Sequence, residues 1–297
     1  MATSYQARVD LVMDHVRRHL DEDLPLADLA AVANFSPFHF HRIFRASTGE
    51  TVADFVRRAR LERAVQLMQT APQRPLTSIA AETGFATPSD FARVFRRQYG
   101  RTPSSWDRRS RLDAQPDLTD NAAQLAPGFV PCARIVRRPA LRIFYHRVRN
   151  PWQGNTLATG FRALTEHLDA AGDDWRARRL VGLSWESAKA TDVANLVYDL
   201  GFVFDAASPP PPSILNHDGE QPFGWHRFDS TDAVEVRCPS LPAVAVTWEH
   251  LYTEWLPSSP YEPNDQPAMK RFHRLPTTFT PDDWLVDCSI GLRPRRP

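Results

Sequence analysis

Apolar residues recur three to four positions apart through the first hundred residues and outline a series of short helices. The spacing predicts an opening amphipathic helix over residues 9–20 and a short second helix over residues 26–33. Ser36-Pro37 is a helix start, because serine accepts an orphan backbone N–H and proline is tolerated in the first turn. A longer helix is predicted over residues 52–70. The N-terminal part is therefore predicted to be all-α.

This helical pattern occurs twice. Each copy predicts a short helix, a turn and a second helix that carries arginines beside an apolar stripe. Thr87-Pro88 replaces Ser36-Pro37 in the second copy, and glycine ends both second helices, as in a left-handed cap. We predict two helix-turn-helix units. The first set of matches lies 50 positions apart, Leu26, Leu29, Ala30 and Phe35 with Leu76, Ile79, Ala80 and Phe85; the second set lies 51 apart, Phe40, Arg42, Phe44, Arg45 and Gly49 with Phe91, Arg93, Phe95, Arg96 and Gly100.

The predicted long helix between the two copies has a length that suits DNA. A helix of about 19 residues is about 28 Å long, and one turn of B-DNA is about 34 Å. Such a helix can hold two DNA-reading helices about one turn apart on one face of the duplex. Both could then enter successive major grooves of one DNA molecule, so a monomer on DNA is expected.

Charge divides the chain. Residues 1–111 hold 17 arginines, no lysine and 12 acidic residues, a net +5, whereas the remainder holds 19 basic and 23 acidic residues, a net −4. A basic front part suits a nucleic-acid module. No apolar run approaches the roughly 20 residues that span a bilayer, and no signal-peptide pattern opens the chain. The sequence predicts a cytoplasmic protein with no membrane partner.

The helical period stops after the second copy. Residues 110–129 gain Pro, Asp and Gln and are predicted to be a linker. We therefore predict a DNA-binding domain over residues 5–109, the linker over 110–129 and a second domain over 130–297.

The second domain carries a weaker repeat. Alternating apolar residues at 141, 143 and 145 and at 244, 246 and 248 predict half-buried strands. The matched residues lie 103 positions apart: Pro139, Ala140, Leu141, Ile143, Tyr145 and Trp152 with Pro242, Ala243, Val244, Val246, Trp248 and Trp255.

Further elements complete these two halves. A helix is predicted over residues 161–171, and paired strands over residues 180–185 and 193–204. Residues 268–273 and 284–292 take the places of those strands in the second half, with Asp199 answered by Asp287. We predict a multidomain chain whose C-terminal domain is α+β, two pseudo-symmetric antiparallel strand/helix halves. A cleft at their junction is a common place for a pocket.

Residues 8–107 resemble the AraC/XylS-type DNA-binding domain. The strings that carry this are "PLADLAAVANFSPFHFHRIFRASTG" and "LTSIAAETGFATPSDFARVFRRQYGRTPSSW". In that family the exposed sides of the third and sixth helices meet base edges. The resemblance implies base contacts by Phe38, His41 and Arg42, and by Ser89, Asp90 and Arg93.

The chemistry of these residues suits that role. Arg42 and Arg93 can donate bidentately to guanine, and Phe38 can pack on a thymine methyl. Asp90 could accept from cytosine or simply cap its own helix. Three further arginines are better placed for phosphates, which add affinity without sequence information: Arg45, Arg96 and Arg97.

Residues 130–293 resemble the gyrase-inhibitor-like (GyrI-like) effector-binding family. The strings that carry this are "RPALRIFYHRV", "YTEWLPSSPYEPNDQPAM" and "DDWLVDCSIGLRP". Family members bind amphipathic, often cationic small molecules in an aromatic-lined cleft that contains a carboxylate, and some relatives are hydrolases. The resemblance thus implies a small-molecule effector.

One position departs from that family. Lys270 stands where the pocket glutamate is expected. A lysine there would repel cations and would remove the acid/base group of the hydrolase relatives. Either the ligand is neutral or anionic, or Glu249, Glu254 or Glu186 supplies the carboxylate.

Aromatic residues supply the remaining ligand candidates. Seven of the eight tryptophans follow residue 150, and aromatic walls suit flat or cationic ligands. The predicted ligand-binding residues are Tyr145, Trp185, Trp255, Lys270 and Phe272.

Other chemistry is not expected. The sequence has no nucleophile–base pair and no Gly-rich phosphate loop. Cys132, Cys238 and Cys288 lack metal-type spacing and are expected to be buried, inert thiols. We therefore predict no enzyme activity, no catalytic residues, no metal and no cofactor.

Together these features predict a sequence-specific DNA-binding transcription regulator whose C-terminal domain senses a small amphipathic or aromatic molecule. Its expected partners are double-stranded DNA, the effector and RNA polymerase. The alternative is a C-terminal domain that is a small-molecule hydrolase or a gyrase-type protein-binding module fused to a DNA-binding domain.

Overall fold

A computed structural model describes residues 5–108, 128–185, 196–206, 214, 223–276 and 284–295. The chain forms two compact units, Met1–Leu112 and Asp113–Pro297. Each unit has its own hydrophobic core.

The described part of the N-terminal unit is helical. A short 3-10 turn at Pro103–Ser105 follows the last helix. The predicted helix positions are confirmed to within a few residues. The helices are α1 (Tyr5–Arg18), α2 (Leu26–Val32), α3 (Pro37–Thr48), α4 (Val52–Thr70), α5 (Leu76–Glu82) and α6 (Pro88–Tyr99).

Local sequence determines where α3 and α6 begin and end. The Ser36 hydroxyl accepts a hydrogen bond from the His39 backbone N–H at 3.4 Å, and the Thr87 hydroxyl accepts one from Asp90 at 3.0 Å. A glycine in the left-handed conformation ends each helix, Gly49 at φ 80° and Gly100 at φ 71°. Both helices therefore have the same length and the same caps.

The buried sides of the two helices are aromatic. Phe40 and Phe44 of α3 lie 5.6 Å apart between ring centroids, and Phe91 and Phe95 of α6 lie 5.5 Å apart. All four side chains are buried. The opposite sides of α3 and α6 are consequently left for solvent or a partner.

The C-terminal unit is built on one antiparallel sheet. Its path is β1-β6-β9-β8-β3-β4-β2-β5, with β7 paired to β9. The strands are β1 (Arg134–Arg138), β2 (Leu141–Arg149), β3 (Leu180–Ser184), β4 (Val197–Phe204), β5 (Phe223–Phe228), β6 (Thr231–Cys238), β7 (Tyr261–Pro263), β8 (Ala268–Phe272) and β9 (Val286–Pro294).

Two helices contribute to the core on one face of this sheet. They are α7 (Thr156–Ala170) and α8 (Leu241–His250), and a π-helical turn, Leu251–Trp255, continues α8. Their apolar residues share the main core with those of the strands. A smaller cluster that includes Ile143 and Leu183 covers the other face. We call these the helix-bearing face and the open face.

The strand predicted over residues 244–248 is wrong. These residues lie in α8, where the Ser240 hydroxyl accepts a hydrogen bond from the Ala243 backbone N–H at 3.5 Å and Pro242 stands in the first turn. A short run of Ala and Val fits a strand and a buried helix equally by periodicity, and the cap decides between them. The residues 103 positions apart therefore fold differently, as strand β2 and helix α8.

The other predicted strands are present in the described residues. β3 and β4 pair antiparallel with Leu183 opposite Asp199, and β8 and β9 pair with Arg271 opposite Asp287. The predicted helix over residues 161–171 is α7, and Gly172 follows it at φ 72°.

Two smaller findings concern membrane and cysteine expectations. Among the described residues, no helix combines the length and apolarity that a bilayer crossing requires. Cys238 and Cys288 are buried as expected, but the expectation for Cys132 is wrong because that residue is exposed.

Candidate nucleic-acid interface and ligand pocket

The outward side of α3 carries the residues predicted to meet DNA. Phe38 is 70% exposed, which is unusual for a large apolar side chain. Arg42 and Arg45 are exposed and His41 is half-buried. The Arg42 guanidinium carbon lies 5.9 Å from the Phe38 ring centroid. Helix α3 thus presents an aromatic ring and two cations on one accessible side.

The outward side of α6 differs in one respect. Ser89, Arg93, Arg96 and Arg97 are exposed, but Arg93 forms an ion pair with Asp90 one turn earlier. The Arg93 side chain is 69% exposed and that of Asp90 is 38% exposed. Pairs this accessible contribute only about 0.2–1 kcal/mol. A guanine can therefore displace Asp90 from Arg93 at small cost.

Residues of both helices border one open cleft. His41 of α3 lies on one side of it, and Asp90 and Arg93 of α6 lie on another. The cap residue Thr51 and the start of α4, including Arg57, also line it. One residue of the first predicted base-reading set and two of the second therefore border the same cleft.

A partly buried contact holds the second helix pair against the segment that follows α1. Arg60 of α4 donates hydrogen bonds to the Leu20 carbonyl at 2.9 Å and to the Glu22 carbonyl at 2.6 Å. Gly84, in the turn between α5 and α6, has φ 75°, and a Cβ added there would lie 2.1 Å from the Leu20 oxygen. Sequence reasoning missed this contact, since nothing in the order of residues pairs position 84 with position 20.

In the C-terminal unit, Lys270 lies on the helix-bearing face. It is 3% exposed, and its Nζ donates to the Ser184 hydroxyl at 3.1 Å. The same ammonium lies 4.8 Å from the Tyr198 ring centroid and 5.7 Å from that of Trp248. Burial lowers the pKa of Lys270 to about 8. Lys270 is thus a buried cation beside two aromatic rings.

More aromatic rings surround this position. Phe272 lies 5.4 Å from Trp284, and Trp152 lies 5.9 Å from Trp284 and 6.0 Å from Tyr198, between ring centroids. Trp255 packs against the same core. The sequence reasoning omitted Tyr198, which stands in the largely apolar run "NLVYDLGFVF", where alternation is hard to detect. Three of the five predicted ligand residues, Lys270, Phe272 and Trp255, therefore belong to the helix-bearing face.

Tyr145 and Trp185 do not join this group, because both pack with the apolar cluster of the open face. Tyr145 stacks on His226 at 4.0 Å, and Trp185 Nε1 donates to Asp199 Oδ2 at 2.7 Å. Arg147 donates twice to Asp199, at 2.6 and 2.7 Å. Burial alone would raise the pKa of Asp199, but Arg147 and His226 hold it well below its usual range. These residues form a satisfied polar network.

The alternative carboxylates have different surroundings from Lys270. The Glu254 side chain is 70% exposed and lies 3.1 Å from His250. Glu249 is half-buried on α8. Glu186 lies outside the described residues.

Comparison with known proteins identifies the N-terminal unit. Residues 29–109 match the family described as a helix-turn-helix domain. The regulatory protein SoxS of Escherichia coli K12 is 33% identical over 106 residues, 36% of this chain and 98% of SoxS. The transcriptional regulator Rob of Salmonella typhimurium is 37% identical over 97 residues, 32% of this chain and 33% of Rob. The DNA-binding domain of AdpA, solved with a target DNA, is 28% identical and covers 37% of this chain and 96% of that domain, with a TM-score of 0.33.

The capped helices and the sequence matches to the helix-turn-helix family, SoxS and Rob define a DNA-binding protein of the helix-turn-helix class. The chain belongs to the AraC-type family of transcription regulators, represented here by SoxS and Rob. The relatives that it matches, SoxS and Rob, are transcription regulators.

Proposed function

We propose that α3 and α6 enter successive major grooves of one DNA duplex and that a small molecule bound to the C-terminal unit controls this binding. The observation that carries the proposal is the repetition of one capped, arginine-bearing helix within a single unit. A chain with two such helices reads two sites without a second copy. It acts in the cytoplasm, where the chromosome is, and meets RNA polymerase there.

Base contacts are assigned to the outward residues nearest the start of each helix. Phe38, His41 and Arg42 read one half of the site. Ser89, Asp90 and Arg93 read the other half. The exposed cations further along the helices contact phosphates: Arg45, Arg96 and Arg97.

The effector site is assigned to the helix-bearing face. Apart from the short strand β7, which follows α8, the order strand–helix–strand–strand occurs twice, as β2-α7-β3-β4 and as β6-α8-β8-β9. β3 pairs with β8 at the centre of the sheet. This order supports two halves related by a pseudo-twofold axis, with Lys270 and Ser184 where they meet. Effector binding there regulates DNA binding only if the two functional states differ in effector affinity.

Nuclease footprinting of the full chain tests the DNA-binding part. On a duplex selected from a random library, we expect protection of about 20 base pairs, since two half-sites lie about 10 base pairs apart. Protection should weaken steeply between 50 and 200 mM salt, because phosphate contacts release counterions. A single protected segment of about half this length would contradict insertion of both helices.

A further inference from the structure

Lys270 is a buried ammonium, and within the described part of the chain its interacting groups include no carboxylate. Burial is the first cause of its lowered pKa, and the groups that act on it electrostatically are the thiols of Cys288 and Cys238. Its hydrogen bond in the described structure goes to the neutral hydroxyl of Ser184. Because a buried charge is costly unless it is paired, an anion placed beside this ammonium would be stabilised.

A second donor lies beside it. Tyr198 is 1% exposed, and among the described residues its hydroxyl has no hydrogen-bond partner. A Cβ at Gly182 would lie 1.7 Å from that hydroxyl, so glycine provides the space that the phenol occupies. Gly182 is directly opposite Lys270 in the β3–β8 pair. The phenol and the ammonium thus lie over the same central strands.

The aromatic residues around these donors supply an apolar wall. Trp248 contacts the ammonium from α8, and Trp152 contacts Tyr198 from the segment before α7. Both tryptophans are half-buried, so the cluster reaches the surface at their edges. Two hydrogen-bond donors therefore lie beside aromatic rings, of which Trp152 and Trp248 are half-buried.

We propose that this site binds an organic anion, a carboxylate attached to an aromatic or amphipathic body, through Lys270 and Tyr198. The carboxylate accepts hydrogen bonds from the Lys270 ammonium and the Tyr198 hydroxyl, and the aromatic body lies against Trp152 and Trp248. This inference rests on the proposed effector-sensing function and names its ligand class. A cation is disfavoured because it would lie beside a buried like charge.

Calorimetric titration of the full chain with three matched probes tests this inference. The probes are 2-naphthylacetate, 2-(2-naphthyl)ethanol and 2-(2-naphthyl)ethylammonium, which share one ring system and differ in charge. We expect the acetate to bind at least tenfold more tightly than the other two. Equal affinities, or tighter binding of the ammonium, would overturn the anion site while leaving effector sensing intact. Binding of none of the three would overturn both, and footprinting reports on DNA binding separately.

Variants assign the effect to the named side chains. Lys270→Met should lose at least tenfold in affinity for the acetate and retain that for the alcohol, and Lys270→Glu should reverse the order of acetate and ammonium. Tyr198→Phe keeps the aromatic ring and should lose a smaller factor in affinity for the acetate. It tests the site independently if a Lys270 variant does not fold. Arg137→Met, which removes a 64% exposed cation of the same unit, is the control and should change nothing. Unchanged selectivity in Lys270→Met and Tyr198→Phe would refute the site.

The pH dependence of acetate binding gives a further test. Lys270 has a pKa of about 8, so its ammonium is present at pH 7 and is lost as the pH rises to 9.5, and acetate affinity should fall over this range. The groups that face Lys270 are Ser184 of β3, Tyr198 of β4, Trp248 of α8, Cys288 of β9 and Cys238 of β6. Burial raises the pKa of Tyr198 and that of Cys288, whereas the hydrogen bond to Cys288 lowers that of Cys238. Acetate affinity of the Cys238→Ser variant should therefore still fall as the pH rises. An affinity that no longer changes with pH in this variant would contradict the role of Lys270.

Discussion

Single residues show which polar groups stabilise this protein and which are available for binding. Asp199 is fully buried and accepts hydrogen bonds from Arg147 and Trp185. Lys270 is as deeply buried but has a neutral hydroxyl as its hydrogen-bond partner. Asp199 is part of a satisfied network on the open face, whereas Lys270, on the helix-bearing face, is the group that we propose to bind an anion.

Asp199→Asn should strongly destabilise the C-terminal unit. The change leaves the fully buried Arg147 without its anionic partner, and breaking a buried pair in this way costs about 3–5 kcal/mol. The depressed pKa of Asp199 means that its stabilising contribution is present at pH 7 and is lost under strong acid. Denaturant unfolding followed by tryptophan fluorescence measures the difference.

Asp232→Asn is the matched control, because Asp232 is 53% exposed and pairs with the exposed Arg137. It should cost no more than about 1 kcal/mol. Equal losses in the two variants would show that the Asp199 network is not the stabilising element described here.

Individual residues also show how far sequence reasoning reached. The caps Ser36 and Thr87 were predictable because capping chemistry is local. The position of Tyr145 and Lys270 on opposite faces of the sheet was not predictable. Which face a strand residue occupies depends on the pairing register between distant segments. Local patterns therefore predicted the helix caps of α3 and α6 better than which strand residues share a face.

At the scale of elements, the N-terminal unit depends on how two helix pairs are joined. α4 connects the two helix pairs along the chain. In addition, Arg60 and Gly84 hold α4 and the α5–α6 turn against the segment that follows α1. Residues 244–248 were predicted to be a strand but lie in α8. There a serine cap decides in favour of a helix.

Gly84→Ala should destabilise the N-terminal unit more than Gly49→Ala. Both glycines have positive φ, so each substitution carries a backbone cost of about 1–2 kcal/mol. At Gly84 the new Cβ also meets the Leu20 carbonyl, whereas at Gly49 nothing lies within 4 Å. Thermal unfolding of the full chain followed by helical circular dichroism compares the two. Equal shifts in Tm would mean that the α5–α6 turn does not depend on this contact.

At the scale of the whole molecule, the chain joins a basic helical unit to an acidic α+β unit. Residues 1–111 carry a net +5 and the remainder −4. The basic unit is the one that we propose to bind DNA, which attracts positive charge. The anion site proposed in the second unit depends on one buried lysine and not on net charge. Our central claim is that one chain places two recognition helices on one duplex.

The most direct test of that claim is the base preference of Arg42→Ala and Arg93→Ala. Binding of each variant is measured to every single-base substitution of the selected site. We predict that each variant loses discrimination at one position, worth about 1–3 kcal/mol, and that the two positions lie about 10 base pairs apart in opposite halves of the site. Uniform weakening on all sequences, or loss of preference at one shared position, would contradict the account.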